Sequence, residues 1–354
     1  SLEKYIPSEI CICHVNDDLS QTQTGFFYIC NMSGIENIIA PVKVEMSSFE
    51  TYFKSALESK VPLLDKVTQY IVKRKGKQMR PLFVFLSCKL FGEANDTTFH
   101  AASLVELLHT ATLVHDDVVD DANERRGFFS VNALWKNKIA VLVGDYMLSK
   151  ILLLSIEKEN IDLLEVVARS VKEMSEGELL QIEKARSLDI TEAVYFDVIK
   201  KKTASLISTC CEAGAISVGA HEHRARMRDF GEKVGIAFQI KDDIFDYGTP
   251  NHIGKPTGID IREQKMTLPL IYALDHAPPK IKAELKNIVK NHNEKGAKIK
   301  RATDIVIECG GIDYAYKTMK AYADDAIGIL DGFPDSDAKE SLKALVDYTM
   351  NREK

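Results

Sequence analysis

From about Val44 to the end of the chain, apolar side chains recur at the three- and four-residue spacing of helices that bury one face. Leu104, Leu107, Leu108, Ala111 and His115 keep that spacing straight into an acidic run that begins at Asp116. A second such segment extends from about Arg224 to Tyr247 and is stopped by Gly248 and Pro250. Strand-type alternation is hard to find. Neither a Pro/Gly/Ser-rich linker nor an internal repeat interrupts the pattern. The fold expected is therefore all-α, a single large helical bundle around a central cavity, with the domain spanning residues 32–354. Residues 1–31 stand apart, mixing three cysteines with Gly25-Phe26-Phe27-Tyr28 and little helical periodicity. Met32-Ser33 reads like a natural start, so 1–31 are expected to be a disordered leader or added upstream sequence.

Composition narrows the function classes. The chain has 354 residues, 45% of them hydrophobic, enough for a large core. A net charge of −6 argues against a nucleic-acid binder. Seven cysteines, an odd number without a regular framework, fit reduced thiols and a cytoplasmic location. Cys11-Ile12-Cys13-His14 lacks a matching second pair for a metal site, and Cys210-Cys211 reads as core packing. The most apolar stretch, Ile139 to Ile156, is interrupted by Asp145 and Lys150, so no membrane span is expected.

Two acidic clusters carry the candidate chemistry: Asp116-Asp117-Val118-Val119-Asp120-Asp121 and Asp242-Asp243-Ile244-Phe245-Asp246. Each contains DDxxD, and on a helix positions i and i+4 lie on one side, so Asp116 pairs with Asp120 and Asp242 with Asp246. Stacked carboxylates repel unless cations neutralise them, and oxygen-only ligands favour a hard ion such as Mg2+. Mg2+ prefers a few carboxylates plus substrate phosphate oxygens, so two facing claws point to a diphosphate held between them. The bland alternative, solvated acidic helix faces, weakens because both clusters border apolar residues such as Leu113-Val114 and Phe238-Ile240. Short basic motifs supply counter-charge: Gly76-Lys77-Gln78-Met79-Arg80-Pro81, Arg125-Arg126-Gly127, Lys202-Thr203, Gly254-Lys255 and Lys265. Physics alone leaves a Mg2+-dependent enzyme acting on diphosphates, with a diphosphate hydrolase or a terpene cyclase as alternatives.

These residues resemble the trans-isoprenyl diphosphate synthases, or polyprenyl synthetases, from about residue 48 to the end. That resemblance implies condensation of isopentenyl diphosphate with an allylic diphosphate, farnesyl or geranyl, by ionisation, attack and proton loss. It implies metal binding by Asp116, Asp117, Asp120, Asp121, Asp242 and Asp246, with about three Mg2+. Arg125, Lys202, Lys255 and Lys265 would hold the allylic diphosphate; Lys77, Arg80, His109 and Arg126 would hold isopentenyl diphosphate. Thr203 and Gln239 match positions whose oxygen dipoles face the developing cation. Lys75 and Gln264 stand where the family often has glycine, a departure that removes no charge. Small residues at Ala111 and Thr112, with Leu108 deeper, replace the aromatic stop of short-chain members. The run His109 to His115 is similar to octaprenyl-type synthases of quinone side chains, with a tunnel floor expected among Met147 to Leu154. A homodimer is expected; a shorter-chain synthase and a non-catalytic subunit of a heteromeric synthase are the alternatives.

Overall fold

A computed structural model describes residues 35–73, 76–125, 127–187, 190–248 and 258–351. The expected leader 1–31, together with Lys75, Arg126 and Lys255, lies outside the described residues. Helices follow one another in the order α1 (Lys43–Ala56), α2 (Pro62–Lys73), α3 (Met79–Lys89), α4 (Asp96–Val119), α5 (Val131–Trp135), α6 (Asn137–Glu157), α7 (Ile161–Ser187) and α8 (Glu192–Ile199). A π-helical turn, Lys200–Ala204, leads into α9 (Ser205–Ile216). Then come α10 (Arg224–Asp246), α11 (Ile259–Arg262), α12 (Leu268–His276), α13 (Pro279–Asn291), α14 (Gly296–Glu308), α15 (Gly311–Asp331) and α16 (Asp337–Asn351). Strand-type sequence was scarce, yet one hairpin forms: β1 (Glu124–Arg125) pairs antiparallel with β2 (Phe128–Phe129), with Gly127 at φ 77° in its turn.

The centre of the bundle is α9, every residue of which is buried. Its small side chains, Ser, Thr, Cys, Ala and Gly, let neighbouring backbones come close. A Cβ on Gly214 would lie 2.5 Å from the Val84 carbonyl of α3, and one on Gly231 of α10 would lie 2.6 Å from Ser208 Cα. Helices α3, α4, α7 and α10 surround α9, and α15 packs on the outer side of α10. Cys210 and Cys211 are fully buried, as expected for packing residues, and burial pushes the Cys211 thiol up to about 12. Large core side chains such as Phe85, Leu104, Leu107, Leu108 and Phe230 leave water completely. Each such burial contributes roughly 1.5–3 kcal/mol.

Helix α4 is anchored at its start so that its far end is well placed. The Asn95 side chain accepts from the Thr97 and Thr98 amides at 2.8 and 3.1 Å, and Thr98 Oγ1 accepts the Asn95 amide at 3.2 Å. This reciprocal box satisfies donors that a helix start leaves open. Asn95 Nδ2 also donates to the Ser217 carbonyl, tying the start of α4 to the end of α9.

Despite Asp145 and Lys150, α6 is by length and composition alone long and apolar enough to cross a membrane. One face of it, including Ala140, Val143, Gly144, Met147 and Ile151, is buried in the bundle, largely against α4. Gly144 matters to that packing, since a Cβ there would meet the His115 ring at 2.2 Å.

His100, on α4, is 1% exposed and hydrogen-bonded to Asn160. Burial, aided by Lys158, lowers its ring from 6.5 to about 4. The folded value is depressed, so the stability this residue supports is intact above pH 6.5 and is lost as pH falls through about 4. His100→Gln is expected to flatten that acid limb, a difference on the order of 3 kcal/mol at pH 4. Melting temperatures of both proteins across pH 4–7 check this; parallel acid limbs would rule it out.

Candidate active site

The first acidic cluster is not wholly helical. Helix α4 ends at Val119; Asp120 is the C-cap, and Asp121 turns the chain with φ 49°, in the left-handed region. Asp116 therefore projects from the last turn while Asp120 and Asp121 fan out beyond it. Because carbonyl dipoles leave partial negative charge at a helix C-terminus, this is a costly place for carboxylates and a favourable one for cations. Burial, reinforced by Glu178 and Asp120, raises the Asp116 carboxyl, while Lys202 and Arg125 oppose the rise. Asp117 faces the other way: it is 4% exposed, and its Oδ1 accepts from Arg125 Nε at 2.7 Å. The hairpin thus folds back on the cluster and brings Arg125 onto Asp117.

The second cluster closes α10 in the same manner, with Asp246 the final helical residue and Tyr247 the C-cap. Its three carboxylates have three environments. Asp242 is half-buried and lines a cavity. Asp243 is buried and accepts from Tyr195 Oη at 2.7 Å and Gln239 Nε2 at 2.9 Å. Burial pushes Asp243 up to about 7, with those two donors opposing the rise. Asp246, expected beside Asp242 as a ligand, accepts from the Ile259 and Asp260 amides at 2.9 and 3.0 Å. It therefore caps α11, which follows Gly258 at φ 76°.

Lys202 and Thr203 sit on the π turn, a rare geometry that recurs at functional sites. Two glycines make room for it. A Cβ on Gly177 of α7 would lie 2.7 Å from the Lys202 amide, and one on Gly235 of α10 would lie 2.4 Å from Ala204 Cα. Wedged between two backbones, Lys202 Nζ reaches Glu178 and Gln181 of α7, the latter at 3.0 Å. Thr203 Oγ1 donates to Gln239 Oε1 at 2.8 Å. Lys265 pairs with Glu263 at 2.6 Å; burial works against its charge, but Glu263, Asp260 and Asp120 together hold its ammonium above the usual value. Lys202 thus sits within electrostatic reach of Asp116, and Lys265 of Asp120. The two acidic clusters address a shared space.

Two cavities share Thr203 as a wall residue, and no residue of the first cluster lines either of them. One, of about 450 Å³, is lined by Lys202, Thr203, Gln239, Asp242, Asp246 and Lys265, among others. The other, of about 460 Å³, is lined by Lys77, Arg80, His109, Phe238 and again Thr203. Lys77 Nζ donates to Tyr348 Oη of α16 at 3.2 Å. Among the described residues, no three His, Cys, Asp or Glu side chains form a ready metal cage. The oxygen-rich donor set fits a hard divalent cation that completes its shell with ligand oxygens. Sequence reasoning missed Glu178 and Gln181 of α7 and Tyr195 of α8, which no motif marks. Of the expected chain-length residues, Leu108 and Ala111 are fully buried and Thr112 donates to the His109 carbonyl at 2.9 Å; none of the three lines either cavity.

Comparison with known proteins accords with this geometry. The polyprenyl synthetase family profile matches residues 61–306. The chain belongs to that family. It is thereby a trans-prenyltransferase that forms prenyl diphosphates, in a family that uses a divalent metal. It is 35% identical over 323 residues to the all-trans-nonaprenyl-diphosphate synthase (geranyl-diphosphate specific) of Rhodobacter capsulatus, covering 90% of this chain and 98% of that protein. A polyprenyl synthase from Caulobacter crescentus, solved with calcium and isoprenyl diphosphate, superposes with a TM-score of 0.82 at 33% identity, covering 90% and 98% of the two chains. The geranylgeranyl pyrophosphate synthase from Bacteroides thetaiotaomicron superposes with a TM-score of 0.77 at 39% identity, covering 90% and 100%.

Because Gly235 abuts the backbone that carries Lys202 and Thr203, Gly235→Ala is expected to destabilise the polyprenyl synthetase by about 1–3 kcal/mol and to cut its activity. Urea unfolding and turnover measured together check this. Wild-type values for both would show that the π turn does not depend on this contact.

Proposed function

We propose that this enzyme adds isopentenyl diphosphate to an allylic diphosphate, farnesyl or geranyl, in successive trans additions, giving a polyprenyl diphosphate of about eight isoprene units for quinone side chains. The observation that carries the reading is a pair of cavities that share Thr203, one lined by Asp242, Lys202 and Lys265, the other by Lys77, Arg80 and His109. The first cavity suits the allylic diphosphate, to which the family resemblance also assigns Arg125 and Lys255. The second suits isopentenyl diphosphate, to which the family resemblance also assigns Arg126. Asp116, Asp120, Asp121 and Asp242 would hold about three Mg2+, with Asp117 and Asp246 supporting them through Arg125 and the start of α11. When bound, Mg2+ neutralises negative charge on the diphosphate.

The protein's own groups then do the following. Lys202 and Lys265 place ammonium charge where the leaving oxygen becomes anionic as the allylic C–O bond breaks. Thr203 and Gln239 turn oxygen toward the allyl carbon, which becomes positive. Lys77 and Arg80 hold the second diphosphate so that its double bond faces that carbon. The new C–C bond takes the electron pair of the double bond, and a neighbouring proton passes to the released diphosphate. Buried walls keep water from the cation.

The small residues Ala111 and Thr112 beneath the first cluster support a long product, as does the nonaprenyl relative. A shorter product is the second reading, favoured by the complete burial of Leu108 and Ala111. Homodimer formation is supported by an apolar stripe on α6, where Val141, Leu142, Leu152, Leu153 and Ile156 are exposed. Four described cysteines are free thiols, in keeping with a cytoplasmic location.

The test is incubation of the purified chain with Mg2+, labelled isopentenyl diphosphate and farnesyl diphosphate, with product mass as readout. Extension that stops on chelation is expected, and Asp116→Ala or Asp242→Ala should each reduce it at least about a hundredfold. Undiminished extension in both variants would overturn the assignment. Ala111→Tyr is expected to shorten the product; an unchanged ladder of masses would refute a path past that residue.

A further inference from the structure

Along the wall of the first cavity runs a chain of hydrogen bonds whose donors and acceptors follow from the groups involved. Tyr195 Oη donates to Asp243 Oδ2 at 2.7 Å, and Gln239 Nε2 donates to Asp243 Oδ1 at 2.9 Å. Thr203 Oγ1 donates to Gln239 Oε1 at 2.8 Å. Asp243 accepts on both oxygens, so it draws the NH2 end of the Gln239 amide toward itself. The carbonyl end must then face Thr203, and it takes that residue's single hydroxyl proton. What Thr203 has left to show the cavity is its oxygen lone pairs. Tyr195 and Asp243 are 4% and 5% exposed, and Tyr195 comes from α8 while Asp243 comes from α10, so the chain braces two helices on either side of the π turn.

We propose that Tyr195 and Asp243 are positioning residues that fix the polarity of Gln239 and Thr203, so that Thr203 presents acceptor oxygen, and not its hydroxyl hydrogen, to the allyl carbon as it becomes positive. The inference rests on the allylic reading of the first cavity. Reversing the Gln239 amide would aim its NH2 at Thr203 and free the threonine hydroxyl to point its hydrogen at the cation. That dipole would oppose the developing charge it is placed to stabilise. Buried networks of this kind hold one arrangement only when every member has its partner.

Substitutions that exchange donor and acceptor test polarity apart from shape. In Asp243→Asn the new amide offers either end to Gln239, so the single orientation is lost. The expected result is a drop in kcat of about 10- to 100-fold, with KM for isopentenyl diphosphate within about twofold. Adding Gln239→Glu restores a unique pattern, because the carboxylate at 239 accepts from both Thr203 and the amide at 243, whose oxygen accepts from Tyr195. This double variant is expected to exceed Asp243→Asn in kcat at least about fivefold, and to gain nothing in a Thr203→Val background. Residues that merely filled space would make the double variant worse than the single one, and that outcome overturns the proposal. Should Asp243→Asn fail to fold, judged by circular dichroism, Tyr195→Phe carries the test, with a severalfold loss of kcat expected and an unchanged kcat refuting it.

Binding of farnesylamine, a prenyl ammonium, together with inorganic diphosphate gives a readout that needs no turnover. Its affinity should fall in Asp243→Asn and return in the double variant. Absence of elongation by wild type while this binding pattern holds would sink the allylic chemistry and leave the polarity relay standing. Normal elongation with binding indifferent to all these substitutions would sink the relay alone.

Discussion

Two helices end in carboxylates at the same place, and the C-terminal dipoles of both add to the repulsion between them. A fold can hold such an arrangement only if most of the acids are neutralised locally and the remainder are left for cations from outside. The two clusters show the division. Asp117 faces Arg125, Asp246 caps α11, and Asp243 takes two side-chain hydrogen bonds. Asp242 lines the first cavity, Asp120 lies just beyond the end of α4, and burial together with like charge raises Asp116. Part of each motif is engaged by the protein's own donors; the rest carries charge that a divalent metal would relieve.

Holding those clusters in register is a matter of backbone spacing. Gly177 and Gly235 admit the π turn between α7 and α10, and Gly214 and Gly231 admit α9 between α3 and α10. Each contact would fall below 3 Å with a Cβ present, so ordinary side chains would push the helices apart and move Lys202 away from Asp116. Rigid close packing of this kind suits a site whose catalysis depends on fixed charges and dipoles rather than on a protein nucleophile.

The helical architecture was legible because the apolar periodicity is long and the helix stops are strong. Asn95 and Thr98 begin α4, and Gly248 follows the end of α10. The two DDxxD motifs identified where the chemistry lies, and Lys77, Arg80 and His109 do share a cavity. Three things escaped. The end of α4 at Val119, with Asp121 in the left-handed region, depends on a tertiary hairpin that motif spacing does not encode. The separate duties of Asp242, Asp243 and Asp246 are set by which neighbours arrive from α8 and α11, about 50 residues before and 15 after in the chain. Glu178, Gln181 and Tyr195 stand alone in sequence, and only packing brings them to the site. A path for a growing chain past Ala111 was likewise an inference about empty space, which side-chain volume at one position does not determine.

The cations of the site are already partnered: Lys202 with Glu178, Lys265 with Glu263, Arg125 with Asp117. An incoming diphosphate must therefore compete with carboxylates for each of them, while three further carboxylates repel it. A diphosphate alone would find little to gain, whereas one arriving with divalent cations meets acids that need just that charge. The pairs also keep each ammonium or guanidinium oriented before any ligand comes, so reorganisation is small when partners exchange. The same acids that discourage an unaccompanied anion make the site selective for a metal-bound one.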